Sequence, residues 1–248
     1  MQSLPTILRL SSFFSIFIIW FLLSLTIDHR LFVSPVDVLI DLKYHLIEGD
    51  LIDDTLITLT RAGISFFIAM FLGSIIGYAL ARFKKLNYFF DSWVIIGLNI
   101  PALVLVIIFY IWIGLNELAL ISAVVLNKMP IVIVNIREGT RLLDKNYFHV
   151  AKVYQLSNFT VWIKIILPQL YPYLITSART GLSLIWKIVL VFELLGRGSG
   201  IGFQIQVFFA FFDISSILAY SIFFISIILI IENFIMIPIE NRATHWRK

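Results

Sequence analysis

The chain has no cysteine, only four histidines and few charges, 14% of its 248 residues. Without cysteine, no disulfide and no thiolate-held metal site can form. The histidines are scattered and show no His-Glu-x-x-His spacing, so a zinc-hydrolase centre has no support. No Gly-x(4)-Gly-Lys-Ser/Thr run occurs, so the chain does not itself bind ATP through a Walker fold. No Ser/His/Asp set or carboxylate pair can be placed together from the sequence. No cofactor is expected in this chain, and a transport or scaffold role is expected in place of catalysis.

Apolar length is what the sequence has in abundance. Hydrophobic residues make up 60% of it, far above an ordinary soluble domain. A helix needs about 20 apolar residues to cross the hydrocarbon core. Six runs are candidates, near 12–27, 56–81, 92–113, 118–136, 171–195 and 214–237; the first is short and the second and fifth carry charges, so five or seven spans remain open. They are continuous and do not alternate, so the predicted fold class is all-α, a polytopic membrane bundle of about six helices. Arg9 and the run after it resemble a signal peptide but lack a small-x-small cleavage site, so a retained first helix is expected. Residues 1–54 are read as that helix and an outer amphipathic segment. Residues 55–248 are read as the core, with a polar loop at about 137–170.

Charge sets the predicted topology. With the N-terminus inside, the inner segments hold Arg9, Arg82, Lys84, Lys85, Arg137, Arg141, Lys145, Lys152, Lys164, Arg242, Arg247 and Lys248. The outer segments hold Arg30, Lys43 and Arg197. The positive-inside rule favours this arrangement, with both termini in the cytoplasm. The net charge of +4 follows from that topology and gives no reason to expect nucleic acid.

Within the outer segment, Val36, Leu39, Ile40, Leu46 and Ile47 recur at helical spacing, which predicts a short helix on the membrane surface. Gly73 and Gly77 form a Gly-x-x-x-Gly pair suited to close helix packing. Arg61 lies close enough to the outer end to snorkel. Pro101 and Pro130 are expected to kink their spans. Gly196 to Gly202 looks like a phosphate cradle, but it follows a helix and has no Lys-Ser/Thr, so it reads as a flexible outer loop.

Intramembrane charges are costly and usually face a bundle interior or a wet cavity. Arg179, Lys187 and Glu193 fall in the fifth run, and Lys128 in the fourth. Arg179 and Glu193 lie within about 40° of one face and about 21 Å apart. They are the candidate pathway residues, set against the plainer reading of static inter-helix ion pairs. The inner loop offers Val150, Ala151, Val153, Tyr154 and Leu156 as an apolar surface the membrane does not need. A groove in a cytoplasmic partner would bury it; lipid headgroups are the alternative.

The stretch from His149 to Pro168, HVAKVYQLSNFTVWIKIILP, resembles the coupling motif of binding-protein-dependent ABC importer permeases. That motif begins Glu-Ala-Ala, has Gly four residues after the second Ala, and ends Leu-Pro. Ala151 and Leu167-Pro168 fit it. His149, Val150 and Gln155 replace the Glu, the first Ala and the Gly. Glycine there permits a sharp turn between two short helices, a freedom glutamine lacks.

Further likeness runs from about residue 30 to the end. Phe32-Val33-Ser34-Pro35, Asp54 to Arg61, Gly73/Gly77, Ile100-Pro101, Pro130 with Asn135, Thr180 to Lys187, Glu193 to Gly196, Ser199 to Gly202, and Glu240-Asn241-Arg242 with Trp246-Arg247 are similar to the taurine, alkanesulfonate, nitrate and bicarbonate permeases. This resemblance implies a type I importer in a bacterial inner membrane. Two permease copies, two cytoplasmic ATP-binding subunits using ATP and Mg, and an outer substrate-binding protein would act together. It assigns ATPase coupling to His149, Val150, Ala151, Val153, Tyr154, Gln155, Leu156, Phe159 and Pro168. The expected cargo is a small anion; a neutral or cationic vitamin precursor, or an ion-driven secondary transporter, remain the alternatives.

Overall fold

The structure is a computed structural model and describes residues 3–27 and 32–244, with 3–13 and 241–244 described as backbone. Arg30, Trp246, Arg247 and Lys248, named above, lie outside the described residues.

The described chain is helical throughout. After α1 (Ser3–Thr26), α2 (Pro35–Ile47) starts where Ser34 caps it, accepting from the Asp37 amide at 3.2 Å, with Pro35 in the first turn. One face of α2 packs on a later helix, α11 (Ile214–Ile231), through buried Val38 and a 2.9 Å His45 Nε2–Ser216 Oγ contact. The opposite stripe, Val36, Leu39, Ile40 and Ile47, is exposed, as a membrane-surface helix requires. Leu46 instead packs on the core.

α3 (Leu51–Arg82) is about 48 Å long, enough to cross the bilayer and emerge. It lies along α6 (Glu117–Arg141). Gly73 and Gly77 make this approach possible: a Cβ at Gly77 would stand 2.6 Å from the Ile133 carbonyl oxygen.

The run expected as one span over 92–113 is broken. α4 (Lys84–Asn99) and α5 (Ala102–Ile113) meet at 98°. Pro101 removes an amide donor and pushes Ile100 into an extended conformation, ψ 122°. Asn127 Nδ2 donates to the freed Ile100 carbonyl at 3.3 Å. The pair still traverses the bundle: Asp91 bonds Arg137 near one end of α6, while Tyr110 donates to the Phe192 carbonyl at the other. Pro130 is carried inside α6 without ending it.

After α6 come α7 (Lys145–Val153) and α8 (Asn158–Val161), then a π-turn, Trp162–Ile166, leading into α9 (Leu167–Gly196). α9 runs back beside α6, with Tyr173 against Gly139 at its start and Gly196 against Tyr110 at its finish. α10 (Ile201–Ala210) and α11 follow; a second π-turn, Glu232–Met236, joins α11 to α12 (Ile237–Thr244). The core between these helices holds Leu120, Val124, Ile185, Val189, Phe192 and Tyr220. Two ends result. The Glu117 end gathers the starts of α3 and α6 with the α9–α10 connection. The Arg82 end gathers the tails of α3 and α6 with α7 and α8.

Candidate functional site

At the Arg82 end, α7 and α8 form a two-helix loop standing off the bundle. Asp144 caps α7, accepting from the Asn146 amide at 2.9 Å, and its own amide donates to Gln169 Oε1 at 2.9 Å. α7 ends in a paired bond pattern: the Leu156 amide donates to Ala151 O at 2.9 Å, and the Gln155 amide to Lys152 O at 3.2 Å. This is the Schellman arrangement, which places a left-handed residue after the helix cap. Gln155 occupies that position with φ +49°. The sharp turn that glutamine was not expected to favour is therefore made, at a cost of about 1–2 kcal/mol. Gln155→Gly should slow amide exchange at Gln155 and Leu156, and Gln155→Val should speed it. Hydrogen–deuterium exchange on the purified protein measures both.

α7 turns half-buried Phe148 and buried Ala151 toward the bundle. Lys145, Phe148, His149 and Lys152 face a cleft against the tails of α3 and α6. Tyr147, Val150 and Tyr154 lie on the opposite stripe, and they, Val153 and Phe159 are exposed. Tyr154 and Phe159 are each 74% exposed. Ala151, expected on the outward face, is instead 5% exposed and turned into the chain's own fold. Pro168 stands in the first turn of α9, directly after the π-turn, where its missing amide interrupts the helical bond ladder.

The Glu117 end holds a closed ion cluster that corrects two expectations. Arg61 does not snorkel: it is buried, and all five of its donors find acceptors. Its Nε and Nη2 grip both Glu117 oxygens at 2.9 and 2.7 Å, and Nη1 reaches Glu193 Oε1 at 2.7 Å. The rest go to Ser199 O at 2.7 Å and Ser199 Oγ at 3.0 Å. Arg197 also pairs with Glu117. Gly196–Gly202 is not a flexible loop either. Its Gly200, Ile201 and Gly202 amides donate to Asp54, Thr58 and Glu193 at 2.8, 2.9 and 3.0 Å. Amides so occupied cannot cradle a phosphate. Gly200 is required here: φ is +99°, and a Cβ would lie 2.5 Å from Glu193 Oε1.

Residues 69–237 match the binding-protein-dependent transport system inner membrane component family. The chain belongs to that family. It is an ABC transporter permease, a multi-pass inner membrane subunit whose transport depends on ATPase and binding-protein partners. This permease is 26% identical over 214 residues to the putative aliphatic sulfonates transport permease SsuC of Bacillus subtilis, covering 86% of this chain and 77% of that one. It is 24% identical over 229 residues to a probable ABC transporter permease of Brucella abortus, covering 92% and 91%. To the bicarbonate transport permease CmpB of Synechococcus elongatus it is 29% identical over 152 residues, covering 61% and 55%. In fold it is similar to a chain of the MetNI methionine ABC transporter in an inward facing conformation, with TM-score 0.65 and 16% identity, covering 78% of this chain and 95% of that one.

The intramembrane charges of the permease fall into separate environments. Glu193 is wholly buried inside the ion cluster. Arg179 pairs with Glu240, and with Glu232 at 3.4 Å, tying α9 to the end of the chain. Lys187 is exposed, in line with exposed Thr176, Thr180 and Ser183 on one stripe of α9. Lys128 is 8% exposed, about 16 Å along α6 from Glu117, and no described residue pairs with it. The cluster residues Arg61, Glu117 and Thr58 were not singled out as site residues from the sequence. The only signal for them was polar side chains at the mouths of apolar runs.

Proposed function

We propose that this permease works as a pair of identical copies with two cytoplasmic ATP-binding subunits, and passes a small anion received from an outer binding protein. The observation that carries this reading is the α9 stripe. Thr176, Thr180, Ser183 and Lys187 are exposed along α9, which in this reading crosses the bilayer. Facing lipid, a lysine near mid-bilayer costs about 2.5–3.5 kcal/mol on insertion scales. A second copy enclosing a water-filled path removes that cost. Lys187, exposed and paired with no described residue, suits a negative passenger. The sulfonate and bicarbonate permeases among the relatives are named for anions.

The Arg82 end faces the cytoplasm in this reading, because Arg82, Lys84, Lys85, Arg141, Lys145, Lys152 and Lys164 collect there. The outward apolar stripe of α7 then meets the ATP-binding subunit. Closure of the two ATPases on ATP moves α7 and α8, and α9 is drawn along through the continuous π-turn.

Uptake into proteoliposomes holding permease, ATPase and binding protein tests the proposal. Sulfonates, nitrate and bicarbonate are the first cargoes to offer. Lys187→Met should cut anion uptake about tenfold or more, the worth of a charge-assisted hydrogen bond, with ATPase co-purification unchanged. Wild-type uptake by that variant would end the pathway assignment.

A further inference from the structure

A cleft of about 890 Å³ lies between α7 and the tails of α3 and α6. Lys145, His149 and Lys152 of α7 line this cleft while staying exposed, and Arg82 lines it from the last turn of α3. Among the described residues, no aspartate or glutamate lines the cleft. Arg141, also in its wall, is paired with Glu138 at 2.8 Å, but no described residue pairs with Arg82, Lys145 or Lys152. Cations gathered along one cleft make a positive patch that attracts an anion.

The far wall identifies the kind of anion. It is aromatic and apolar: Tyr78 and Trp162 meet with ring centroids 5.0 Å apart, beside Val161 and Ile166. Tyrosine and tryptophan gather at membrane surfaces, and in the orientation proposed above this end of the bundle lies at the inner one. Cations at the mouth and an apolar wall at the bilayer edge match an amphiphile with a negative head.

We propose that this cleft binds the headgroup of an anionic phospholipid, which bridges α7 to α3 and seats the two-helix loop at the membrane surface. Binding needs only the cleft. Its consequence, that transmission of ATPase movement depends on anionic lipid, rests on the coupling role proposed above.

The test uses the permease–ATPase complex in phosphatidylcholine nanodiscs with and without phosphatidylglycerol. Native mass spectrometry after extraction counts retained lipid. Wild type should retain phosphatidylglycerol, and Lys145→Gln/Lys152→Gln should retain it about thirtyfold less tightly. Lys145→Arg/Lys152→Arg should restore retention, which separates lost charge from a misfolded loop. Equal retention by wild type and the glutamine variant overturns the proposal. So does displacement of the lipid by inorganic phosphate, which would make the site one for free anions. Loss of ATPase from the glutamine variant in pure phosphatidylcholine also overturns it, because an acidic segment of the ATPase would then be the occupant. If the binding results hold while ATP turnover and uptake ignore lipid charge, the site stands and the coupling role falls.

Discussion

Replacing Arg61 by leucine should destabilise this permease by about 3–5 kcal/mol, the usual cost of leaving a buried ion without its partner. Glu193 is completely enclosed. Without Arg61 it would keep only Thr58 and the Gly202 amide as neighbours. The substitution would also release Ser199 and the start of α10, since Arg61 holds both the carbonyl and the hydroxyl of Ser199. Glu117→Gln should cost much less, because the Glu117 side chain is 48% exposed and water can take its place. Arg61→Leu/Glu193→Leu should recover a large part of the loss, as apolar replacement of a buried pair commonly does. Thermal unfolding of the detergent-solubilised protein, run as a double-mutant cycle, reads all of these. An unchanged midpoint for Arg61→Leu would show that the cluster does not hold the Glu117 end together.

Tyr154→Asp should leave insertion and thermal stability intact while releasing the ATP-binding subunit. Tyr154 is exposed, and its stripe of α7 faces away from the chain. Exposed aromatics at an interface centre are frequent hot spots, worth 2 kcal/mol or more on truncation. An added carboxylate in the same groove brings a desolvation penalty as well. Co-purification should fall about thirtyfold or more, and uptake with it. Phe159→Asp should act in the same direction. Ala151→Glu offers a contrast. Ala151 is enclosed by the loop itself, so its replacement should lower loop stability before it touches a partner. If ATPase still co-purifies with Tyr154→Asp at the wild-type level, the outward stripe is not the docking surface.

These two results concern opposite ends of the same helices, and the ends differed in how legible they were. The α7 loop could be read because its signal is local. Apolar residues at helical spacing, with Leu167-Pro168 closing the segment, need no knowledge of distant chain. The direction each side chain faces was not local. Ala151 and Val150 are adjacent, yet one is enclosed and the other exposed. Gln155 gave no sign that its backbone would adopt φ +49°. Two amide bonds to Lys152 and Ala151 hold it there, and those bonds exist only once α7 has formed.

The ion cluster was illegible for the converse reason. Arg61 and Glu193 are 132 positions apart, and Arg61 and Glu117 are 56 apart. Each charge was visible as an oddity near the edge of an apolar run. Which charge met which depended on α3, α6 and α9 arriving at one end together. The Gly196–Gly202 run shows the same limit. Its glycines announced an unusual backbone, but only packing beside Asp54, Thr58 and Glu193 turned a mobile-looking loop into a pinned one.

The sequence by itself determined that this chain lives in a membrane as helices. Burial of long apolar runs, with every backbone amide satisfied inside its own helix, follows from composition and length alone. It also determined the Gly73/Gly77 contact, because small residues at one spacing can do little else in lipid. Tertiary structure decided the break at Pro101, the pairing of Arg61, and the burial of Ala151 on α7. Each depends on what another segment, far along the chain, places opposite. Charge pairs and helix faces are properties of that meeting, whereas hydrophobic length belongs to a segment on its own.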